Sequence, residues 1–281
     1  MTDSTEPDWR GSSSNIYKVE PGMVIKVSRN VHTDNVAHET FNRERAQKFE
    51  VERKIYGVLG PHRLILPFVY PFAGNFLLLT NNRFYGCREF NGQEGLLLAQ
   101  ADSTLQEHLE QKFMMTTEAE RKRWCCQAAS SVAYLHKCGV MHSDLRPENF
   151  LIYERNIWLS DFNGSVCKGL DLDGGQLPDA GFWNSKFETT LDTDIFALGS
   201  VFYAIVTGWW PFCRPGVVRR LDRKDKNTYD EEAMKRFEAR EFPDTSSLWA
   251  GDVILGCWTG MYKTVLDIER DLTSLDIGKD C

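Results

Sequence analysis

The sequence predicts an α+β fold in two lobes: a small strand-rich lobe with one helix, then a larger helical lobe. Three observations predict it. The chain has 281 residues, enough for a large core and, at about 150 residues per domain, for two units. Its first third carries alternating apolar and β-branched runs broken by turn residues. Beyond that, apolar residues recur at helical spacing. The composition, 42% hydrophobic and 26% charged, is that of a globular protein and excludes collagen, coiled coil and wholesale disorder. A net charge of -7 argues against a broad nucleic-acid footprint, which needs a basic face.

In chain order, residues 15–19 and 23–27 alternate and flank Glu20-Pro21-Gly22, a hairpin signal. Between 38 and 59 the period changes to 3.6, with Phe49, Glu52, Ile55, Tyr56 and Leu59 on one face, and Gly60-Pro61 stops the helix. Strands are expected around 64–66, 76–80 and 96–98. A short helix follows over 104–111 and a long one over 117–137, capped by Thr116 or Thr117 and ended by Gly139. Two short strands are expected at 150–152 and 157–159, then loop and helix. The lobes are expected to be residues 9–101 and 102–281, with 1–8 an extended or disordered tail.

The most apolar stretch, 195–212, is interrupted by Ser200, Thr207 and Gly208 and closed by Pro211. It reads as a buried core helix; a membrane span needs about twenty apolar residues. The mixed charges of 221–240 read as a solvated helix face plus loop. Eight scattered Cys, none in a C-x-x-C pair, read as reduced thiols, and Cys125 and Cys126 as packing residues. The acidic, polar start lacks a secretory or transit signal, so a cytoplasmic location is expected, with neither membrane nor nucleic acid as partner.

The segment that carries chemistry is Val140-Met141-His142-Ser143-Asp144-Leu145-Arg146-Pro147-Glu148-Asn149, followed by Asp161-Phe162-Asn163-Gly164. Asp144 and Asn149 alone would suit turn caps. Together with Asp161, in order and across a strand-turn-strand, they resemble the catalytic loop H-x-D-L-x-x-x-N and the metal-binding D-F-G turn of the eukaryotic protein kinases. The overall look is similar to a divergent group of fungal kinase-like proteins. The resemblance runs from about residue 9 to 272 and implies a two-lobed protein-kinase-like fold.

It also implies roles. Phosphoryl transfer needs positioning and charge neutralisation more than covalent chemistry. Asp144 would accept the substrate hydroxyl proton. Asn149 and Asp161 would offer hard oxygen ligands to Mg²⁺ bridging the phosphates of ATP. Arg146 would reach the transferred phosphate, and a basic residue there favours Ser/Thr over Tyr substrates. Val24-Ile25-Lys26 looks like the family's V-A-I-K strand, so Lys26 would hold the α- and β-phosphates and pair with Glu52. Glu50 is a rival partner, about 160° round the helix from Glu52, and an exposed pair with Arg53 or Lys54 is the plainer reading of Glu52 itself. Leu98 would be the gatekeeper, with Ala99, Gln100 and Ala101 as hinge. Ile16, Val24 and Leu151 would sandwich adenine, though each is equally good as plain core. Asp194 would accept bonds from the catalytic-loop backbone. Tyr56, His142 and Phe162 would stack, with His142 a core residue and no proton shuttle.

Four departures accompany the resemblance. Gly11-Ser12-Ser13-Ser14-Asn15-Ile16 keeps one of the three glycines of the phosphate loop, with Trp9 and Ser14 at the other places, so amides approach phosphate less freely. Ser143 replaces the Arg that holds a phosphorylated activation loop, which argues against that form of switching. Asn163 replaces a Gly and is expected to keep the turn by tolerating positive φ. No A-P-E lies between Asp161 and Asp194; Pro178-Asp179-Ala180-Gly181-Phe182-Trp183 fills that span. The leading expectation is a serine/threonine protein kinase using ATP and Mg²⁺ on a protein substrate. The alternatives are a pseudokinase scaffold and a kinase-fold enzyme acting on a small molecule.

Overall fold

The computed structural model describes residues 6–11, 13–30, 36–68, 86–186, 188–213 and 223–277. Strands β1 (Trp9–Arg10), β2 (Ser14–Glu20), β3 (Met23–Ser28), β4 (Cys87–Phe90) and β5 (Gln93–Ala99) form an antiparallel sheet in the order β1-β2-β3-β5-β4. Gly22, at φ +78°, makes the β2–β3 turn, where a side chain would be strained. β3 lies between β2 and β5, with Lys26 opposite Ile16 on one side and Leu96 on the other. Its residues alternate between faces. Ile25 and Val27 pack with Tyr17 and Leu97 on one face, whereas Val24 joins the main core on the other. Lys26 shares the parity of Val24, so it faces the helix that covers the sheet.

That helix is α1 (Val36–Leu59). Val51, Ile55, Tyr56 and Leu59 are buried, and so is Glu52. The expected strand at 64–66 does not join this sheet. Leu66 N–H donates to the Leu159 carbonyl at 2.9 Å and Leu159 N–H to the Leu64 carbonyl at 2.9 Å, while Phe68 bridges to Leu98. An apolar run of three residues is equally suited to strand or linker, and here it ties the two lobes together. The strand expected at 76–80 lies outside the described residues.

The second lobe opens with β6 (Ser103–Thr104) and α2 (Leu105–Lys112), then α3 (Glu118–Lys137). Thr104 and Thr117 each form a capping box, with Glu107 and Glu120 three residues on. β7 (Phe150–Tyr153) and β8 (Asn156–Leu159) complete a three-stranded sheet, β6-β7-β8, and β9 (Val166–Cys167) pairs with β10 (Leu172–Asp173). Helix α4 (Leu191–Thr207) is the centre of this lobe, followed by α5 (Arg223–Glu238), α6 (Gly251–Thr259) and α7 (Val265–Ile277). As expected of the 195–212 stretch, α4 is buried, and its Ser200 is satisfied by Trp258 Nε1 at 2.9 Å. Among the described residues no helix is long and apolar enough to cross a membrane. Cys125 is fully buried and Cys126 half-buried, and the seven described cysteines are free thiols.

The charged run at 221–240 is only partly a solvated face. Within α5, Tyr229, Ala233 and Phe237 recur every four residues and are buried, Phe237 against Phe196, Phe212 and Trp258. Their spacing was the missed signal; the surrounding charges masked it. Tyr229 Oη donates to the Pro211 carbonyl at 3.1 Å in a buried setting. Tyr229→Phe leaves that acceptor unpaired and is expected to cost about 1–2 kcal/mol. The midpoint of chemical unfolding checks this; an unchanged midpoint would show the bond to be unimportant.

Candidate active site

Three sequence-distant residues meet between the lobes. Lys26 Nζ stands 2.7 Å from Glu52 Oε2 and 2.6 Å from Asp161 Oδ1. Each is placed by its own element: Lys26 by strand parity, Glu52 by the buried face of α1, Asp161 by the turn after β8. Asp161 has φ +62°, and the next residues, 162–164, form a single 3₁₀ turn. Burial works against the charge on Lys26, but the Asp161 and Glu52 carboxylates outweigh it and raise the ammonium pKa. Burial likewise opposes ionisation of Asp161, but Lys26 prevails and holds its carboxyl below the usual range. Glu52 is pushed up by burial, with Lys26 pulling it back. Glu50 is not the partner of Lys26; it pairs with Arg53 at 2.7 Å on the outer side of α1.

Asp144 and Asn149, on the loop before β7, lie near enough to Asp161 for its charge to act on Asp144. Asn149 Nδ2 donates to the Asp144 carbonyl at 2.6 Å and to Asp144 Oδ2 at 3.2 Å. The amide N–H₂ is thereby committed to Asp144, which leaves the Asn149 oxygen as the free acceptor. Burial raises the Asp144 carboxyl to about 6; Arg146 opposes the shift, and Asp161 and Asp179 add to it. Its Oδ1 is buried with no hydrogen-bond partner among the described residues, an acceptor awaiting a donor.

The loop is held from below. Asp194, at the start of α4, accepts from His142 N–H at 2.8 Å and Ser143 N–H at 3.0 Å, and His136 Nε2 lies 2.9 Å from it. The Phe162 ring meets Tyr56 at 5.1 Å and His142 at 5.4 Å, both edge-on. His142 is fully buried, bonds the Ser160 carbonyl at 3.0 Å, and burial lowers its pKa, so it stays neutral.

Several placements differ from expectation. Arg146 does not stand free before a phosphate. Its guanidinium bonds Asp179 of the 178–183 segment and lies 3.2 Å from Glu148, and Lys226 on α5 reaches Asp179 at 3.5 Å. Nothing in the sequence paired Asp179 with Arg146, because the contact is made by a loop without periodicity. Asn163 does not use positive φ; the left-handed residue is Asp161. Asn163 instead donates from Nδ2 to Ser13 Oγ at 3.1 Å, tying the Gly-poor loop to the turn. Gly11 is exposed and its N–H bonds the Ser14 carbonyl at 2.8 Å; Ser12 lies outside the described residues. Ile16 and Leu151, half-buried, pack against the cluster that contains Val24 and Leu98. Ala99 and Gln100 N–H groups bond Pro67 and Gly22 carbonyls, at 2.9 and 2.8 Å. The peptide groups of Ala101 make no protein hydrogen bond among the described residues.

Among the described residues no group of three or more His, Cys, Asp or Glu can hold a metal ion. A magnesium site does not need one, since this ion keeps water and takes phosphate oxygens beside one or two protein ligands. Asp161, whose side chain is 38% exposed, has its second carboxylate oxygen free of Lys26, and with the Asn149 oxygen it offers a hard-oxygen donor set that fits.

A family model described as the protein kinase domain matches residues 20–170, more than half of the chain. The chain belongs to the protein kinase domain family. Kinases from several kingdoms resemble it. It is 28% identical to the hormonally up-regulated neu tumor-associated kinase of Mus musculus, over 74% of this chain and 29% of that protein. It is 29% identical to the serine/threonine-protein kinase PKH3 of Eremothecium gossypii, over 44% of this chain and 19% of that one. With the serine/threonine-protein kinase grp of Drosophila melanogaster the identity is 32%, over 47% of this chain and 28% of the relative. The chain therefore spans less than a third of each of these kinases. The matched residues 20–170 include Lys26, Glu52, Asp144, Asn149 and Asp161.

Proposed function

We propose that this kinase domain transfers the γ-phosphoryl group of ATP to a Ser or Thr hydroxyl of a protein. The observation that carries the reading is Lys26 held between Glu52 and Asp161, with Asp144 and Asn149 joined beside them. Lys26 binds the α- and β-phosphates. The free Ala101 peptide groups bond the adenine edge, and Ile16, Val24, Leu98 and Leu151 enclose its faces. Residues 9–101 act as the ATP-anchoring lobe, with Gly11 in the strap over the phosphates, and residues 102–281 as the catalytic lobe. Asn149 and Asp161 would hold Mg²⁺, which neutralises phosphate charge.

In the chemical step the substrate hydroxyl oxygen bonds the γ-phosphorus, the bond to the β,γ-bridging oxygen breaks, and ADP leaves. Asp144 takes the hydroxyl proton on its carboxylate. Arg146 offsets phosphate charge once Asp179 yields it to the incoming group. A specific observation favours a second reading, a nucleotide-binding scaffold: Arg146 already carries two carboxylate partners.

The test is transfer of labelled γ-phosphate from Mg-ATP to a generic acceptor protein rich in Ser and Thr, run beside Lys26→Met. Equal background in both removes the transferase reading, and Mg-ATP binding without turnover supports the scaffold. The pH profile gives a second check. Asp144 accepts a proton only when ionised, and its carboxyl titrates near 6. The expected kcat/KM therefore falls tenfold per pH unit below about 6 and is flat above it, until other groups titrate. A profile flat down to pH 4.5 would exclude Asp144 as the base.

A further inference from the structure

Lys48, Glu52 and Tyr56 recur every four residues along α1 and so share one face. All three meet the chain that runs on from Asp161. Lys48 Nζ donates to Gln176 Oε1 at 2.8 Å. Glu52 pairs with Lys26, which bonds Asp161 itself, and lies near enough to the Phe162 backbone for it to act on the carboxyl. The Tyr56 ring meets Phe162. The first contact is the outlier, because Gln176 lies beyond the turn, past the β9–β10 hairpin.

Gln176 is held at both ends of its amide, since Nε2 also donates to the Leu177 carbonyl at 3.3 Å. The backbone beneath it has no slack. Gly174 N–H donates to the Ser165 carbonyl at 3.1 Å. A Cβ on Gly174 would stand 2.2 Å from the Asn163 carbonyl oxygen, and one on Gly164 would stand 2.4 Å from Gln176 Cβ. Both distances are too short for any side chain, so the two glycines let this stretch lie directly on the 162–164 turn. The position of Gln176 is thereby set by the turn that carries Asp161. One further fact bears on control: between Ser165 and Ser185 the sequence has no Ser, Thr or Tyr. That stretch offers no hydroxyl to a phosphate.

We propose that Lys48 and Gln176 are positioning residues. Their hydrogen bond straps α1 to the segment after the Asp161 turn and holds Glu52 against Lys26 without covalent modification of that segment. The proposal rests on the reading of Lys26 as a nucleotide anchor, and its test keeps the two separable.

The experiment measures hydrogen exchange of the α1 amides 44–56 in the full chain, beside Mg-ATP affinity, for Lys48→Met, Gln176→Ala, the double variant and Lys48→Arg. Loss of this one part-buried hydrogen bond is expected to speed α1 exchange about fivefold to tenfold in each single variant. The double variant should exchange no faster than either single, and Lys48→Arg, which keeps a donor, should restore protection. Mg-ATP affinity should fall in the same order. Exchange within twofold of the wild type in both singles, or single effects that multiply in the double, overturns the strap. If wild-type protein binds no Mg-ATP, the anchor reading fails, while the exchange result still decides whether the strap exists.

Discussion

Asp144→Asn is expected to lower the turnover of phosphoryl transfer by about 10² to 10⁴-fold while leaving the fold and Mg-ATP affinity intact. The substitution removes the proposed proton acceptor and little else. Asn149 Nδ2 reaches Asp144 through its carbonyl at 2.6 Å and its Oδ2 at 3.2 Å. Asn at 144 keeps the carbonyl and one side-chain acceptor, so Asn149 stays in place. Lys26, Glu52 and Asp161 do not touch the changed group among the bonds that hold them. Steady-state kinetics with a Ser/Thr acceptor, paired with a Mg-ATP binding isotherm, measures both halves. Turnover within threefold of wild type would reject the base role. A parallel loss of nucleotide affinity would mean the loop had moved and the comparison must use Asp144→Glu.

Asp194→Ala is expected to destabilise the chain by about 2–6 kcal/mol, through two buried donors left unpaired at about 1–3 kcal/mol each. Asp194 is 1% exposed, and its two oxygens accept from the His142 and Ser143 backbones. Ser143 is itself fully buried and held at φ +71°, a conformation unfavourable for a residue with a side chain. The two bonds from Asp194 oppose that strain and fix the direction in which Asp144 leaves the loop. Asp194→Asn keeps one acceptor and turns an amide N–H₂ toward one of the two N–H groups, so it should cost less than Ala but more than nothing. Chemical unfolding monitored by tryptophan fluorescence measures the difference. A loss below about 1 kcal/mol for Ala would show that the loop keeps its shape by other contacts.

Much of this arrangement was readable from local pattern. Hairpin and cap signals act within a few residues, and the elements that depend on them formed where the pattern placed them: β2 and β3 around Gly22, α2 behind Thr104, α3 behind Thr117. The order and spacing of Asp144, Asn149 and Asp161 carried the family, because those residues are set by one loop and one hairpin. The failures have a common cause. Residues 64–66 are apolar enough for a strand, but which edge they join depended on Leu159. The 221–240 run is charged on average, yet Tyr229, Ala233 and Phe237 are buried, Tyr229 beside Trp210 and Phe237 against Phe196 of α4 and Trp258 of α6. Asn163 was read for its backbone, whereas its side chain found Ser13, 150 positions away.

From residue order alone came a strand-rich first part and a helical second, the capped helices α2 and α3, and the family through Asp144, Asn149 and Asp161. Those are consequences of periodicity and of short-range chemistry. Beyond the Lys26–Glu52 pair, which the family resemblance implied, which cation meets which carboxylate came only with folding. Lys26 and Asp161 are 135 positions apart and Arg146 and Asp179 are 33 apart, and no spacing rule links either pair. An ion pair of that kind is specified by the packing of whole elements. β3 parity and the buried face of α1 bring Lys26 and Glu52 together, while two glycines with no room for a Cβ bring Gln176 to Lys48.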